Sequence, residues 1–351
     1  MIVIHILILL ASFYALGVIC DRYFIPALDE IGTKLKMPSD VAGATLMAVG
    51  SSAPELFIAL FAVFVPAESG EIGGHGEIGV GTILGSALFN LLVISGAVAV
   101  VRTAVINWKP VVRDLGFYLL SVLLLVFTFL DGAILWWEAI LLLVLYAMYV
   151  WVVMKWKHWV HYKPEAEPEV VNEPAVKKPG IINFVFKLMF PFKHYIGQFL
   201  ASITWIAFFS WVLVESAIEV AHFFDIPEAI IALTVLAVGT SIPDLISSVL
   251  VSKRGKGDMG ISNAIGSNVF DVLVGLGLPW IVFLALYNKP IHVGNETLFT
   301  SALILLGSIV LMLFIFMINR WRLGKKAGWT LIIIYLMYIA WELFSYYSTK
   351  G

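Results

Sequence analysis

One stretch of thirteen residues occurs twice in the chain. The first copy reads Thr45-Leu-Met-Ala-Val-Gly-Ser-Ser-Ala-Pro-Glu-Leu-Phe57, and the second reads Thr234-Val-Leu-Ala-Val-Gly-Thr-Ser-Ile-Pro-Asp-Leu-Ile246. Seven of the thirteen positions are identical. Each copy places a glycine, two hydroxyls, a proline and a carboxylate inside an otherwise apolar run. Burying a carboxylate costs free energy unless it is paired, so the stretch requires a structural or functional reason.

The composition indicates a membrane protein. Of the 351 residues, 61% are hydrophobic and 13% are charged, and the mean hydropathy is +0.96, whereas soluble domains contain about 25% charged residues. Apolar runs of about 18 residues or more recur, as in proteins that cross the bilayer many times. The net charge of −2 argues against a nucleic-acid-binding protein. The single cysteine, Cys20, excludes a disulfide framework and a cysteine-based metal site.

The apolar pattern predicts ten membrane-spanning helices. The N-terminal apolar stretch lacks a basic segment and a small-residue cleavage site, so we interpret it as the first helix and not as a signal peptide. The longest polar segment, 155–198, contains mixed charge and proline and is predicted to be a loop between residues 1–154 and residues 199–351. Each half contains five spans, which are 2–20, 42–65, 78–100, 112–130, 133–154, 199–221, 228–251, 260–286, 297–319 and 328–346.

Lysine and arginine predict the orientation of these spans. Only Lys289 and Lys350 fall on one side, which leaves 22 − 2 = 20 basic residues on the other. By the positive-inside rule, the side with 20 is cytoplasmic. Both termini are then outside, and the loop 155–198 is cytoplasmic.

The two halves are predicted to have opposite orientations, because each contains an odd number of spans. A second pair of motifs supports this repeat: Gly85-Ser-Ala-Leu-Phe-Asn90 in the third span and Gly266-Ser-Asn-Val-Phe-Asp271 in the eighth. Inverted repeats of this kind are common in secondary transporters, whose binding sites lie near the bilayer midplane. The predicted fold is therefore an all-α polytopic membrane protein with a 5+5 inverted-topology repeat.

The polar residues of the motifs predict a cation site. Glu55, Asn90, Asp244 and Asp271 fall near the middle of their spans, where a charged residue costs at least about 2.5–3.5 kcal/mol. In each long motif, two hydroxyls share the helix face of the carboxylate, and the proline frees a backbone carbonyl one turn earlier. These are hard oxygen donors, which suit Na⁺, Ca²⁺ or K⁺ and not Zn²⁺ or Cu⁺. Buried protonated acids that only join helices are the alternative.

The small residues of the short motifs have two possible roles, helix packing and cation binding. Glycine and serine permit close packing of membrane helices, which would explain Gly85, Ser86, Gly266 and Ser267. The two serines also lie one turn before Asn90 and Asp271, so a ligand role is open as well. Outside the motifs, we expect His75, Glu138 and Glu342 to lie in water, and the segment 184–192 to lie along the membrane surface.

The motifs that end at Glu55, Asp244 and Asp271 closely resemble the two alpha-repeats of the cation/calcium exchanger superfamily. The resemblance covers nearly the whole chain and implies an antiporter that lets Na⁺ in and moves Ca²⁺ out. It implies that the second, third, seventh and eighth helices form the ion-binding core, against which the first and sixth slide. It also implies a set of ligands: the carboxylates of Glu55 and Asp244, the hydroxyls of Ser51, Ser52, Thr240 and Ser241, the carbonyls of Ala48 and Ala237, and Ser86, Asn90, Ser267 and Asp271.

The second repeat looks more like the potassium-dependent branch, in which the position of Asp271 is linked to K⁺. Some prokaryotic members carry Asp at position 244 without needing K⁺, so the sequence leaves K⁺ dependence open. The loop 155–198 is too short for the calcium-sensing domains of some animal exchangers, and short loops predict a prokaryotic plasma membrane. The expected partners are the lipid bilayer and the transported cations; no cofactor, no enzymatic activity and no nucleic acid are expected, and we expect a monomer.

Three other functions remain open from the sequence. A cation/proton exchanger could use the same fold, because carboxylates carry protons as well as Na⁺ ions. A passive cation channel is the second alternative. The third is an intramembrane aspartyl protease, because Gly255-Lys-Gly-Asp258 fits the Gly-x-Gly-Asp pattern of that group. Against this, Asp258 follows three basic residues of a cytoplasmic loop, and the Tyr-Asp partner motif is missing.

Overall fold

The computed structural model describes residues 2–36, 45–46, 48–65, 75–160, 181–192, 194–253, 257–292 and 296–350. Long helices account for most of these ranges: α1 Ile2–Lys34, α2 Ala48–Phe64, α3 Gly76–Val101, α4 Trp108–Thr128, α5 Trp136–Trp159, α6 Ile181–Met189, α7 Tyr195–Phe224, α8 Glu228–Lys253, α9 Met259–Tyr287, α10 Glu296–Ile318 and α11 Lys325–Lys350. Four short strands connect them: β1 Ala104–Val105, β2 Ala133–Ile134, β3 Ile291–His292 and β4 Arg322–Leu323.

The all-α polytopic membrane fold predicted from the sequence is confirmed. In the described part of the chain, nine helices are long and apolar enough to cross a membrane. The helix α2 is apolar but has only 17 residues, and the predicted start of its span, residues 42–44, lies outside the described ranges. The count of ten spans and the outside position of the termini remain predictions.

The first helix is longer than predicted. We expected it to end at residue 20, where the apolar run stops, but α1 continues to Lys34 through a π-helical turn, Cys20–Phe24. Pro26 lies directly after the π turn, so the backbone hydrogen bond that its missing N–H removes is lost where the helical bonding already changes. Apolar patterning marks where a helix is buried in lipid, and it does not mark where a helix ends.

Further π-helical turns occur at equivalent places in the two halves. Residues 45–46 and Ala232–Leu236 include the first residues of the two long motifs. Phe89–Ile94 and Asp271–Leu276 adjoin or contain the last residue of the two short motifs. Such turns are found mostly at functional sites, because they disturb the regular backbone hydrogen bonds. All four polar motifs therefore lie beside irregular helix.

Two antiparallel strand pairs join the halves of the chain. The strand β1 pairs with β4, and β2 pairs with β3. Both β1 and β3 follow a helix that carries a short motif, whereas β2 and β4 precede the last long helix of their half. Exchanging the two halves therefore converts one pair into the other, as a repeat requires. Each pair also brings one loop of each half to the same end of the molecule.

Buried apolar side chains form two clusters. The larger one is built mainly from α3, α4, α5, α9 and α10. The smaller one packs α1 and α7 against α2 and the first part of α8, with residues such as Leu16, Leu213 and Leu236. The helices α1 and α7 are the first and sixth predicted spans, and their sliding against the core stays a prediction. Large apolar side chains on outer faces, such as Leu10 and Phe314, are exposed, as in lipid-facing helices.

Three groups that we expected in water are buried instead. Glu138 is buried at the start of α5, where its Oε2 accepts a hydrogen bond from the backbone N–H of Leu135 at 2.7 Å. His75 is buried between the start of α3 and the start of α8, and its Nδ1 lies 2.7 Å from Glu228 Oε2. Glu342 is buried in α11. These predictions were wrong because a position near a helix end does not reveal which neighbours cover it.

The second part of the polar segment forms α6, which is attached to the α1–α7 pair. Phe190, directly after α6, stacks on Tyr23 of α1 with ring centroids 3.8 Å apart. Trp205 of α7 donates from Nε1 to the carbonyl of Met189 at 3.2 Å. The location of α6 along the membrane surface stays a prediction. Residues 161–180 of the loop, and Gly255 and Lys256 of the protease-like pattern, lie outside the described ranges.

Candidate cation site

The fold brings the four central polar residues of the repeats together. Glu55 lies on α2, Asn90 on α3, Asp244 on α8 and Asp271 on α9. The exposed fractions of Glu55, Asn90 and Asp271 are 4%, 2% and 2%, while Asp244 is half-buried. The three carboxylates are close enough to repel one another electrostatically. Such a group is stable only when cations or protons compensate the negative charge.

Hydroxyl groups connect the carboxylates across the two halves. The Thr240 hydroxyl oxygen of α8 lies beside Glu55 on α2, while its hydrogen is donated to the carbonyl of Leu236 at 3.1 Å. The Ser52 hydroxyl of α2 lies beside Asp271 on α9. Each half therefore places a hydroxyl beside a carboxylate of the other half.

Four buried oxygen atoms of the site have no hydrogen-bond partner. Among the described residues, they are Glu55 Oε2, Asn90 Oδ1, Ser241 Oγ and Asp271 Oδ1. Leaving a buried polar atom unpaired costs about 1–3 kcal/mol, so such atoms in a native protein call for a bound ion, water or ligand. Every one of the four is an oxygen with free lone pairs, and they come from four different helices. They are suitable ligands for a hard cation.

Two hydroxyls of the long motifs make the same local contact in both repeats. Ser51 Oγ donates to the carbonyl of Ala48 at 3.4 Å, and Thr240 Oγ1 lies 3.3 Å from the carbonyl of Ala237. A hydroxyl that donates its hydrogen keeps its lone pairs, and a carbonyl that accepts one hydrogen bond keeps a second lone pair. All four groups therefore remain able to bind a cation, and their role as ligands stays a prediction.

The serines of the short motifs are fully buried and bonded to their own helices. Ser86 Oγ donates to the carbonyl of Ile83 at 3.0 Å, and Ser267 Oγ donates to the carbonyl of Ala264 at 3.3 Å. Their hydrogens are thereby used, while their oxygens remain available. The ligand role of these serines is not decided by the hydrogen bonds.

The close packing predicted for the short motifs holds for only one of them. A Cβ added to Gly85 would collide with the carbonyl oxygen of Leu233 and lie 2.6 Å from Ala237 Cβ, so α3 and α8 approach very closely. A Cβ added to Gly266 would meet nothing within 4 Å. The packing interpretation is therefore right for Gly85 and wrong for Gly266, which faces open space.

Sequence reasoning missed the role of Asn268. This fully buried side chain accepts a hydrogen bond on Oδ1 from Asn90 Nδ2 at 3.0 Å. Its own Nδ2 donates to the carbonyl of Ala87 at 3.1 Å and to the Tyr118 hydroxyl at 3.2 Å. Asn268 therefore fixes the amide of Asn90 so that the Asn90 oxygen is the unpaired atom. The signal was present, because Asn268 lies inside the second short motif, three residues before Asp271.

A small cavity lies beside the site, between α1, α2 and α8. Its volume is about 20 Å³, and its polar lining comprises Asp21, Ser51, Thr240 and Asp244. A volume of about 10–15 Å³ is enough for one water molecule, so the cavity has room for a water or a small ion. Asp21 was also missed from the sequence, because the predicted first span ended just before it.

The fold and the site define a membrane cation transporter. Carboxylate, amide and hydroxyl oxygens from two related halves meet inside a bundle of apolar helices, and no lysine or arginine belongs to the four motifs. Residues 5–155 and 194–344 match the family described as sodium/calcium exchanger protein. The chain belongs to this family, and the superfamily named from the motifs is confirmed.

Known proteins similar to this chain include animal exchangers. The sodium/potassium/calcium exchanger 5 of Homo sapiens is 31% identical over 417 residues, which cover 95% of this chain and 82% of the relative. The sodium/potassium/calcium exchanger 1 of Gallus gallus is 27% identical over 525 residues, with 96% and 78% covered.

Solved structures show the same fold. The H⁺/Ca²⁺ exchanger CAX gives a TM-score of 0.72 at 15% identity, over 95% of this chain and 81% of that one. The sodium-calcium exchanger NCX_Mj, soaked with Na⁺ and Sr²⁺, gives a TM-score of 0.60 at 24% identity, over 97% of this chain and 99% of that one. At these identities the likeness concerns the architecture alone.

Proposed function

We propose that this protein is a secondary antiporter that exchanges Na⁺ for Ca²⁺ at the site around Glu55, Asp244 and Asp271. The observation that carries the proposal is the set of four unpaired, buried oxygen atoms contributed by four helices of both repeats. Membership of the sodium/calcium exchanger family and the names of the relatives support the same ions. The family is one of transporters and not of catalytic enzymes, which leaves the aspartyl protease alternative without support.

The ligand chemistry favours Ca²⁺ and Na⁺ as competing substrates. Ca²⁺ takes six to eight oxygen ligands in a flexible geometry, and the site offers four unpaired carboxylate, amide and hydroxyl oxygens with further hydroxyls and carbonyls beside them. A divalent ion gains more than a monovalent ion from three neighbouring carboxylates, because the electrostatic energy scales with ionic charge. More than one Na⁺ is then needed to replace one Ca²⁺.

Exchange requires more than competition for the same ligands. A transporter couples two gradients only if the empty or wrongly loaded protein does not change its access side, and a ligand shifts such an equilibrium only through differential affinity. In our proposal, cations neutralise the three carboxylates and thereby allow α1 and α7 to slide past the site. The cluster through which α1 and α7 contact α2 and α8 is the surface along which the pair would slide.

Two finer features belong to the proposal. K⁺ is a possible third ion, because the relatives carry potassium in their names and Asp271 adds a third carboxylate to the site. We place the protein in the plasma membrane as a monomer, with loop 155–198 in the cytoplasm and residues 1–154 and 199–351 as the two repeats. It needs no bound cofactor, because the transported ions supply the compensating charge.

A proton-coupled exchange of Ca²⁺ is the second candidate. The buried and unpaired oxygens of Glu55 and Asp271 could equally bind protons, and the fold is shared with an H⁺/Ca²⁺ exchanger. The two candidates differ in the gradient that drives Ca²⁺ movement.

The test is uptake of radioactive Ca²⁺ into proteoliposomes that contain the purified protein. We expect uptake when Na⁺ is loaded inside and removed outside, and no uptake when only a pH gradient is imposed. Each condition is repeated with and without K⁺ to determine K⁺ dependence. Uptake driven by the pH gradient but not by Na⁺ would replace the proposal with the proton-coupled candidate, and uncoupled, non-saturable flux would indicate a channel.

Replacing either central carboxylate should abolish the exchange. For Glu55→Gln and Asp244→Asn we expect Na⁺-driven Ca²⁺ uptake to fall at least about 100-fold, because each loses a charged ligand of the site. Glu296→Gln is the matched control, since it removes an exposed carboxylate at the start of α10 and should leave uptake unchanged. Equal amounts of inserted protein are verified by size-exclusion chromatography. Retained uptake in both site variants would show that the exchange site is elsewhere.

A further inference from the structure

The cavity beside the cation site contains a carboxylate that none of the motifs includes. Asp21 lies in the π-helical turn of α1, lines the cavity together with Asp244, and is exposed to its surroundings. Its charge acts on Asp244. Because Asp21 is exposed whereas Asp244 is half-buried, Asp21 lies at the rim of the cavity and Asp244 lies deeper.

Close contacts on either side of Asp21 pack this part of α1 against the two long motifs. One turn before Asp21, a Cβ on Gly17 would lie 2.9 Å from Pro243 Cγ of α8. One turn after it, a Cβ on Gly50 of α2 would lie 2.9 Å from Ile25 Cγ1. Residues four apart share a helix face, so the face of α1 that carries Asp21 touches both long motifs. The cavity is the gap between these two contacts.

We propose that Asp21 is the access carboxylate of the transport site, which attracts a cation into the cavity before Asp244 coordinates it. This inference rests on the proposed exchange function and extends it to a residue of the moving helix. In the predicted orientation α1 runs from outside to inside, so the cavity faces the cytoplasm. Arg22 is the neighbouring charge and lowers the local negative potential without removing it.

The charge of Asp21 predicts a specific kinetic signature. A fixed charge acts on a divalent ion with twice the energy that it exerts on a monovalent ion. If Asp21→Asn raises the half-saturating Ca²⁺ concentration about tenfold, it should therefore raise the half-saturating Na⁺ concentration only about threefold. A residue that merely shapes the packing of α1 would not produce this relation between the two ions.

The experiment measures Ca²⁺ half-saturation and Na⁺ competition from each face of sealed vesicles, for wild type and three variants. We expect Asp21→Asn to produce the tenfold and threefold changes on the cytoplasmic face only, and Asp21→Glu to stay within about twofold of wild type. Glu30→Gln is the control, because Glu30 is exposed on the same helix but does not line the cavity. If Asp21→Asn behaves like Glu30→Gln while the wild type exchanges ions, the inference is wrong and the proposed function stands.

A second measurement does not depend on transport. Binding of radioactive Ca²⁺ to the purified protein in detergent is measured by equilibrium dialysis. We expect Asp21→Asn to raise the Ca²⁺ dissociation constant several-fold and Asp21→Glu to leave it within about twofold of wild type. If the wild type shows no exchange but Asp21→Asn still weakens Ca²⁺ binding, the proposed function fails and the role of Asp21 in binding survives. An unchanged dissociation constant in Asp21→Asn contradicts the inference.

Discussion

At the residue scale, the candidate site combines carboxylates with neutral residues that orient polar side chains. Glu55 and Asp271 each have an unpaired oxygen, whereas the amide of Asn90 is fixed by Asn268. The two repeats therefore differ in charge at the last position of the short motif, because Asn90 is neutral and its counterpart Asp271 is charged. A symmetric site would present the same charge from each half, and this one presents more from the second.

Removing Asn268 tests the orientation of Asn90. Asn268→Ala removes the hydrogen-bond partner of Asn90 Nδ2 and of the Tyr118 hydroxyl and one contact of the Ala87 carbonyl, and each buried group left unsatisfied costs about 1–3 kcal/mol. We expect a lower thermal unfolding midpoint in detergent and weaker Ca²⁺ binding. Tyr118→Phe is the milder comparison, because it removes one acceptor and keeps the bond between Asn90 and Asn268. Unchanged Ca²⁺ affinity in Asn268→Ala, together with reduced stability, would assign Asn268 to packing alone.

The site residues that the sequence predicted are recognisable from their own segment, whereas the residues that it missed are defined by contacts with other helices. Glu55, Asn90, Asp244 and Asp271 were predictable because a polar group inside an apolar run is costly, and because each recurs in the other repeat. Asn268 lies inside a motif but has alanine, Ala87, at the equivalent position of the first repeat, and Asp21 lies outside the motifs. Their contacts depend on which helices pass nearby, such as α4 with Tyr118 and α1 beside α8, and a single sequence does not reveal those contacts.

At the element scale, the helices that carry the motifs differ in how tightly they pack. The helix α3 approaches α8 at Gly85, and also at Gly81, where a Cβ would lie 2.8 Å from Ala232 Cβ. The corresponding glycine of α9, Gly266, leaves open space. Sequence symmetry therefore predicted the position of the helices, but it did not predict which of the two equivalent glycines is needed for packing.

This difference predicts opposite effects for the same substitution. In Gly85→Ala the new methyl group meets backbone of α8, so overpacking should cost about 1–3 kcal/mol. Gly266→Ala should be neutral or slightly stabilising, because alanine lowers the entropy of the unfolded chain and meets no obstacle. Thermal unfolding followed by tryptophan fluorescence compares the two. Equal destabilisation would contradict the difference in packing between α3 and α9.

At the scale of the whole molecule, the packing of the two repeats against each other brings the four central polar residues together. The membrane class, the helical architecture and the pairing of motifs were all predictable from hydropathy and repetition. The limits of α1, the burial of His75 and Glu138, and the link between α6 and α1 were not. These features come from contacts between distant segments, which hydropathy does not record.

The orientation of the chain is open to a direct test. In a Cys20→Ala background, we introduce single cysteines at Thr103 and Lys289, two exposed positions beside β1 and β3. The positive-inside rule places Thr103 in the cytoplasm and Lys289 outside. An impermeant maleimide added to intact cells should then label Lys289→Cys at once, and Thr103→Cys only after permeabilisation. The reverse pattern would invert the topology and place the Asp21 cavity on the outer face.

The exchanged strand pairs also constrain the biosynthesis of the protein. The strand β1 leaves the ribosome in the first third of translation, but its partner β4 is made near the end of the chain. Until then the first half lies in the membrane with β1 unpaired. The strand β2 likewise has no partner until β3 is made. A chain that terminates early therefore lacks the strand pairs that join its two halves at both ends of the molecule.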